Sequence, residues 1–332
     1  MEKEAAPIYH MSTAPRVSII TVNYNGLELT LELLRSIRAN SFTDVEVIVV
    51  DNASEVSPRA AIETQFPGTT VIESAENLGF AGGNNLGIAA ARGDYHFFIN
   101  NDAELTDGCL ETLLAVYDAH PDVGAVSPLL CYFQEDAKLP GGYDRIQYAG
   151  TTRVHPLTAR NRTVGAHEAD RGQYDTPGQP TAYAHGAAML VPAALVKRTG
   201  GMPENFFLYY EELDWCAQFA RLGYQNYVAP RAKVYHKESY AVSKISTLKS
   251  YYLTRNRILF MRRNYPALSV AGFWLFLLVF TVPKTVLTHL RNGEPEQIGA
   301  FFRGIGWHFA HLRLPAPATA ASPPALTVSR TR

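Results

Sequence analysis

The sequence predicts an α/β fold: a mostly parallel central sheet with flanking helices. Two observations predict it. Short β-branched runs alternate with helical stretches along the first third of the chain. Asn- and Asp-rich clusters close three of those runs at equivalent points, where open α/β sheets bind ligands. A third observation adds helices outside the sheet: the C-terminal part is basic and strongly apolar.

The elements follow in order. Residues 17–22 (VSIITV) form a short apolar run that reads as a buried parallel strand. Residues 27–37 place Leu27, Leu31, Leu34 and Ile37 on one helical face. Residues 45–50 (VEVIVV) are a second strand, 69–72 a third and 95–99 (YHFFI) a fourth, with a helix over 81–91 before the last. Residues 132–180 are rich in Gly, Pro, Asp, Arg and Thr and read as long loops with short strands, a flap over a site. Order resumes at 182–191, followed by helices over 209–222 and 247–264. Residues 265–283 carry no charged side chain and come near the ~20 residues of a membrane span. Residues 298–311 form an amphipathic segment with Phe301, Phe302, Trp307 and Phe309, and the Pro/Ala-rich stretch 314–332 reads as disordered. The expected division is a catalytic domain over 15–240, a membrane-associated helical region over 241–313 and a tail over 314–332.

Composition narrows the function. The chain has 332 residues, is 47% hydrophobic and carries 30 Lys+Arg against 31 Asp+Glu. That excludes a disordered protein and argues against nucleic-acid binding. The balance conceals a split: residues 1–240 hold 18 basic and 29 acidic side chains, and residues 241–332 hold 12 and 2. A basic half points to a membrane surface or a polyanion. Cys109, Cys131 and Cys216 are too scattered for a disulfide framework or zinc cluster, which fits a reducing compartment. Residues 1–16 lack the apolar core of a signal peptide, so the sequons at Asn52 and Asn161 read as chance.

Chemistry concentrates in a few places. The strand ends carry Asn23-Tyr24-Asn25-Gly26, Asp51-Asn52-Ala53-Ser54 and Asn100-Asn101-Asp102. Any one of these is an ordinary turn or helix cap. Together they can hold a base, a ribose and a metal-bound diphosphate. The run from Asn77 to Asn85 (NLGFAGGNN) opens a helix with Gly79, Gly82 and Gly83, but it is not the dinucleotide fingerprint. Glu211-Glu212-Leu213-Asp214 follows an aromatic run; on a helix Glu211 and Asp214 share a face while Glu212 points about 100° away. Partial burial among aromatics makes these carboxylates costly unless they work or are paired. His236 follows a strand-like run. Arg255 lies in a helix where it can face phosphate or lipid headgroups.

In order, the segments VSIITVNYNG, VIVVDNAS, NLGFAGGNN, FFINND, HGAAMLV, FFLYYEELDWC and YYLTRNRILF resemble glycosyltransferase family 2, of GT-A fold. The resemblance is nearest to its rhamnosyltransferase-like branch, which builds bacterial cell-surface polysaccharide. It implies that Asp51 contacts the nucleobase with Val22 and Tyr24 beside it. The loop containing Asn77, Gly79 and Asn84 would line the donor pocket. Asn100, Asn101 and Asp102 stand at the family's DXD motif, with Asp102 on a Mg²⁺ or Mn²⁺ ion and His236 approaching the metal or diphosphate. Arg255 resembles the diphosphate-contacting arginine. Glu212 occupies the position of the catalytic base, with Glu211 as rival and Asp214 beside them.

The function expected from this resemblance is metal-dependent, inverting transfer of a sugar, rhamnose among the candidates. The donor would be a dTDP- or UDP-sugar and the acceptor a glycan or lipid-linked hydroxyl. The expected location is the cytoplasmic face of a bacterial inner membrane, peripheral or through a single span. The competing readings are a polyprenyl-phosphate sugar synthase, a nucleotidyltransferase and a non-catalytic glycan-binding protein. Asn23-Tyr24-Asn25-Gly26, where a nucleotidyltransferase needs a glycine-rich basic loop, argues against the second.

Overall fold

The computed structural model describes residues 15–133, 141–237 and 247–313. Strands β1 (Val17–Asn23), β2 (Val45–Asp51), β3 (Thr70–Glu73) and β4 (Tyr95–Ile99) lie in the order β3-β2-β1-β4, all parallel. Alternation along β1 divides its side chains between two cores. Val17 and Ile19 join the cluster under α1 (Leu27–Arg38), and Ile20 joins the one under α3 (Gly79–Ala90). Helix α1 buries Leu31, Leu33, Leu34 and Ile37. Helix α3 approaches the sheet closely through its glycines: a Cβ on Gly87 would lie 2.4 Å from Ile20, and one on Gly83 2.9 Å from Val22.

The remaining strands make the sheet mixed where sequence predicted it mostly parallel. Among the described residues the sheet has ten strands, ordered β3-β2-β1-β4-β9-β6-β10-β5. β5 spans Ala103–Leu105, β6 Val123–Tyr132, β9 Ala188–Pro192 and β10 Gln225–His236, with β7 (Ile146–Tyr148) on β6 and β8 (Gln179–Thr181) on β10. β6 and β10 are parallel, but β9 runs antiparallel to both β4 and β6. The chain leaves the carboxyl end of β6 and returns to start β9 at that same edge, so β9 must run backwards. β6 was absent from the sequence expectation, since Pro128 interrupts its apolar run. Opposite Pro128 and Leu129 the register of β10 breaks between Ala229 and Lys233, a stretch that contains Pro230.

Helix α4 (Cys109–Ala119) packs on β6 and β10, α5 (Ala193–Thr199) follows β9, and α6 (Glu211–Arg221) follows the aromatic run. Helix α7 (Thr247–Asn264) matches the predicted range and packs on α6. Their junction corrects one candidate. Asp214, expected beside the catalytic glutamates, is fully buried in an ion pair. Arg263 donates to both its oxygens at 3.0 Å, and Asn264 and Gln218 donate at 2.6 and 3.0 Å. Its i,i+3 spacing from Glu211 is helical, but a neighbouring helix takes up its charge.

Beyond α7, α8 (Ala267–Phe276), a π-helical turn (Leu277–Thr281) and α9 (Val282–Asn292) form one run of 26 residues, long and apolar enough to cross a membrane. Only 11% of its most apolar window is buried; Leu268, Leu275, Phe280 and Leu290 are exposed. Helix α10 (Pro295–Ala310) returns along α7. Phe273, Leu277, Phe301 and Ile305 share one core with Phe98, Trp215 and Phe260, so these helices pack onto the sheet. The predicted tail, 314–332, lies outside the described residues. Removing the α6–α7 tie with Asp214→Ala is expected to lower the unfolding free energy by about 3–5 kcal/mol, measured by urea melts.

Candidate active site

A cavity of about 550 Å³, within the range of small-molecule sites, opens at the carboxyl ends of β1 and β4. The sheet's order reverses there, since β2 and β3 lie on one side of β1 and β4 on the other. β1 supplies Val22 and the half-exposed Tyr24. The start of α3 supplies Asn77 and Gly79, and the end of β4 supplies Asn100, Asn101 and Asp102. Opposite stand Glu211, Glu212 and His236, which ends β10. The structure thus brings ten of the sequence candidates around one space.

Four candidates are not among its lining residues. Asp214 has been accounted for. Asp51 is buried and turned into the β1–β2 edge, where Asn23 Nδ2 and Ser54 Oγ donate to it at 2.7 and 2.5 Å. Asn52 lines the cavity instead. Its amide donates to Asn77 Oδ1 and the Gly79 carbonyl, both at 3.0 Å, and Leu78 N donates to its Oδ1 at 3.0 Å. Asn84 is buried inside α3, donating to the Phe80 carbonyl. Arg255 is buried against the carbonyls of Asn205 and Phe206, with its guanidinium 4.6 Å from the Trp307 ring. Lys249, near the start of α7, is the one lysine or arginine among the described lining residues.

The lower wall can hold a cation. His236 Nδ1 lies 2.9 Å from Gln147 Oε1, which can only accept, so Nδ1–H donates to it and the ring is turned with Nε2 toward the cavity wall. Nε2 sits 3.1 Å from Asp102 Oδ1. Two ligands at about 2.1 Å from one ion, at a right angle, are about 3 Å apart, so carboxylate and imidazole suit a shared divalent cation. Asn100 Nδ2, 3.3 Å from Nε2, further orients the ring. Gln147 comes from β7, inside the segment predicted as loops, and no sequence signal marked it. His185, also lining the cavity, is kept neutral, its pKa lowered to about 3 by burial and by His236.

A second group of three acids and thiols, Cys131, Asp144 and Asp170, has ligand-like spacing. Lys233 already lies between its carboxylates, donating at 3.0 and 2.7 Å, so the positive charge there belongs to the protein.

The upper wall is a strained turn. Phe207, Tyr209 and Tyr210 all have left-handed φ angles of 65°, 67° and 77°. Such conformations cost bulky residues about 1–3 kcal/mol each and persist only when surroundings impose them. Phe80 N donates to the Phe207 carbonyl at 2.8 Å. A Cβ on Gly79 would lie 2.2 Å from that oxygen, and Gly79 itself has φ +73°, so only glycine fits. The turn delivers Glu211 and Glu212 to the first turn of α6. Glu211 is 3% exposed; burial, then the charge of Glu212, lifts its carboxyl well above the usual range. Burial lifts Glu212 to about 7, and its side chain lies against Gly186. Glu212 is therefore a carboxylate able to take a proton near neutral pH.

A cavity at the carboxyl ends of parallel strands, with Asp102 and His236 on one wall and Glu211 and Glu212 on the other, has the form of a group-transfer site on a GT-A fold. Residues 18–179 match the family described as Glycosyl transferase family 2. The chain carries a glycosyltransferase family 2 domain and is a glycosyltransferase. It is 22% identical over 247 residues to an N-acetylglucosaminyl-diphospho-decaprenol L-rhamnosyltransferase of Mycobacterium tuberculosis, covering 68% of this chain and 77% of that one. It is 25% identical over 209 residues to a low-salt glycan biosynthesis hexosyltransferase of Haloferax volcanii, covering 62% of each. Among solved structures, a mannosyltransferase of Pyrobaculum calidifontis in complex with GDP-Man and Mn²⁺ superposes with TM-score 0.52 at 18% identity, over 92% of this chain and 79% of that one. That likeness supports the fold.

Proposed function

We propose that this glycosyltransferase moves a sugar, with inversion, from a nucleoside-diphosphate sugar to a hydroxyl of a lipid-linked or glycan acceptor. The observation carrying this reading is the opposition, across one cavity, of Glu212 and the Asp102–His236 pair. Glu212 takes the proton from the acceptor hydroxyl. The oxygen attacks the anomeric carbon from the face opposite the diphosphate, forming the new C–O bond. The old C–O bond breaks and its electron pair leaves on the diphosphate. Asp102 and His236 would hold a Mg²⁺ or Mn²⁺ ion, which when bound supplies Lewis-acid neutralisation of that leaving group. Lys249 contributes positive charge to the same space, the role expected of Arg255. Tyr24 and Asn52 sit where a nucleoside would lie.

The similarity to a rhamnosyltransferase whose name includes a diphospho-decaprenol acceptor favours an L-rhamnosyl donor, dTDP-rhamnose first, and a lipid-linked acceptor. The C-terminal helices fit such an acceptor. Their exposed Leu275, Phe280, Phe302 and Phe309 would enter the apolar layer of a membrane while the basic residues of this half meet anionic headgroups.

Glu212→Gln is expected to lower transfer by about 10²–10⁴-fold with donor binding kept, and Glu211→Gln to leave most of it. The opposite pattern assigns the base to Glu211, and a retained anomeric configuration overturns the mechanism. Because the base must be deprotonated and burial raises its pKa to about 7, kcat should rise with pH through that value. Gln147→Leu removes the acceptor that fixes the His236 ring, so Mn²⁺ affinity should fall about 10–100-fold in an electron paramagnetic resonance titration. Carbonate washing of membranes distinguishes the two attachments: release means peripheral binding, retention means a span.

A further inference from the structure

The turn that carries the two glutamates is held from behind by α7. Asn256 is fully buried, and its side-chain amide faces three successive segments of that turn. The two Nδ2 protons are shared among the carbonyls of Phe206, Leu208 and Tyr209, at 2.9, 2.7 and 2.8 Å from the nitrogen. These carbonyls converge because the left-handed residues Phe207 and Tyr209 curl the backbone around one point. Arg255, its neighbour, holds the carbonyls of Asn205 and Phe206. The arrangement leaves Asn256 Oδ1 with no hydrogen-bond partner among the described residues, so the donors, not the acceptor, are what this position uses.

Helix α7 is itself fixed by α10. His308 Nδ1 accepts from Arg262 at 2.8 Å, so its Nε2–H donates to the Arg255 carbonyl at 2.9 Å. The Trp307 ring lies over the Arg255 guanidinium. A Cβ on Gly304 would stand 2.9 Å from the Tyr251 carbonyl, so α10 sits directly on the α7 backbone. The helix that exposes Phe302 and Phe309 at the surface is thus in contact with the residue pair that grips the turn.

We propose that Asn256 is a positioning residue through which the C-terminal helices hold the base-bearing turn in its left-handed conformation. Asn256 does not itself line the cavity; it acts on the lining turn from behind, by holding three of its carbonyls in one fixed curve. The proposal rests on Glu212 as the base. The side of the cavity read as the nucleoside site is built from the ends of β1 and β2 and the start of α3, none of which Asn256 hydrogen-bonds, so its loss should separate turnover from donor binding.

The test compares steady-state kinetics of Asn256→Asp, which keeps the shape but replaces the donor by an acceptor, with Asn256→Ser, which keeps one donor. Asn256→Asp is expected to lower kcat by about 100-fold, the scale of an ångström-sized misplacement of a catalytic group, with the KM for the nucleotide sugar nearly unchanged. Asn256→Ser should fall between it and the wild type, and carries the comparison alone if Asn256→Asp does not fold. Met261→Ala, a buried core change on the same helix, should lower the melting temperature while leaving kcat close to wild type. A wild-type kcat in both Asn256 variants overturns the proposal. So does a parallel loss of kcat and KM, or an equal kcat loss in Met261→Ala. Glu212→Gln is measured alongside: if it stays active, the base assignment fails, whereas an inactive Glu212→Gln with normal Asn256 variants overturns the positioning role alone.

Discussion

The Phe207 carbonyl is the point on which the active site depends. It accepts from Phe80 N at the start of α3, and Gly79 beside it leaves room for no side chain. That contact locks the start of α3 to the turn that carries the two glutamates. Asn256 grips the same turn from behind through the flanking carbonyls. Three left-handed residues in a row of four are held by hydrogen bonds from two helices that are far apart in sequence. The strain is stored where geometry matters most, and a short run of backbone sets where both glutamates point.

Electrostatics then divide the cavity. One wall carries Asp102 and a His236 whose ring is oriented by Gln147. The other carries two adjacent carboxylates, both destabilised as anions by burial. They respond differently because Glu211 is more deeply enclosed and also feels the charge of Glu212. The pair therefore separates into a held proton and a titrating carboxylate, the usual means by which similar groups acquire different tasks. Asp214, three residues on, avoids this cost through Arg263 and Asn264. Identical side-chain chemistry on one helical turn thus has two outcomes, set by whether a partner is present.

The charge split between the halves acquires a structural meaning from α7. This helix begins with Lys249 at the cavity, passes Arg255 and Asn256 under the turn, and ends with Arg263 and Asn264 on Asp214. Much of its basic content serves the interior of the catalytic fold. The apolar run over 267–292 and the exposed phenylalanines of α10 take no part in these ties.

Much of this was legible in the sequence. Short apolar, β-branched runs and helical stretches placed β1, β2, β4, α1 and α7 close to their observed bounds. The clusters ending β1 and β4 could be placed at the site because parallel strands deliver their carboxyl ends to one edge. Three things could not be read. β6 was concealed by Pro128, which interrupts its apolar run. Gln147 lies in a segment without periodicity and matters only through His236. The roles of Asp214, Asp51 and Arg255 depended on which neighbour reached each charge first. By itself, then, the sequence determined the α/β class, the strand edge that holds the site and the residue types available there. The tertiary structure alone decided which charges are neutralised by the protein and which are left for chemistry, because burial and partner distance are set by contacts between segments that the chain order does not encode.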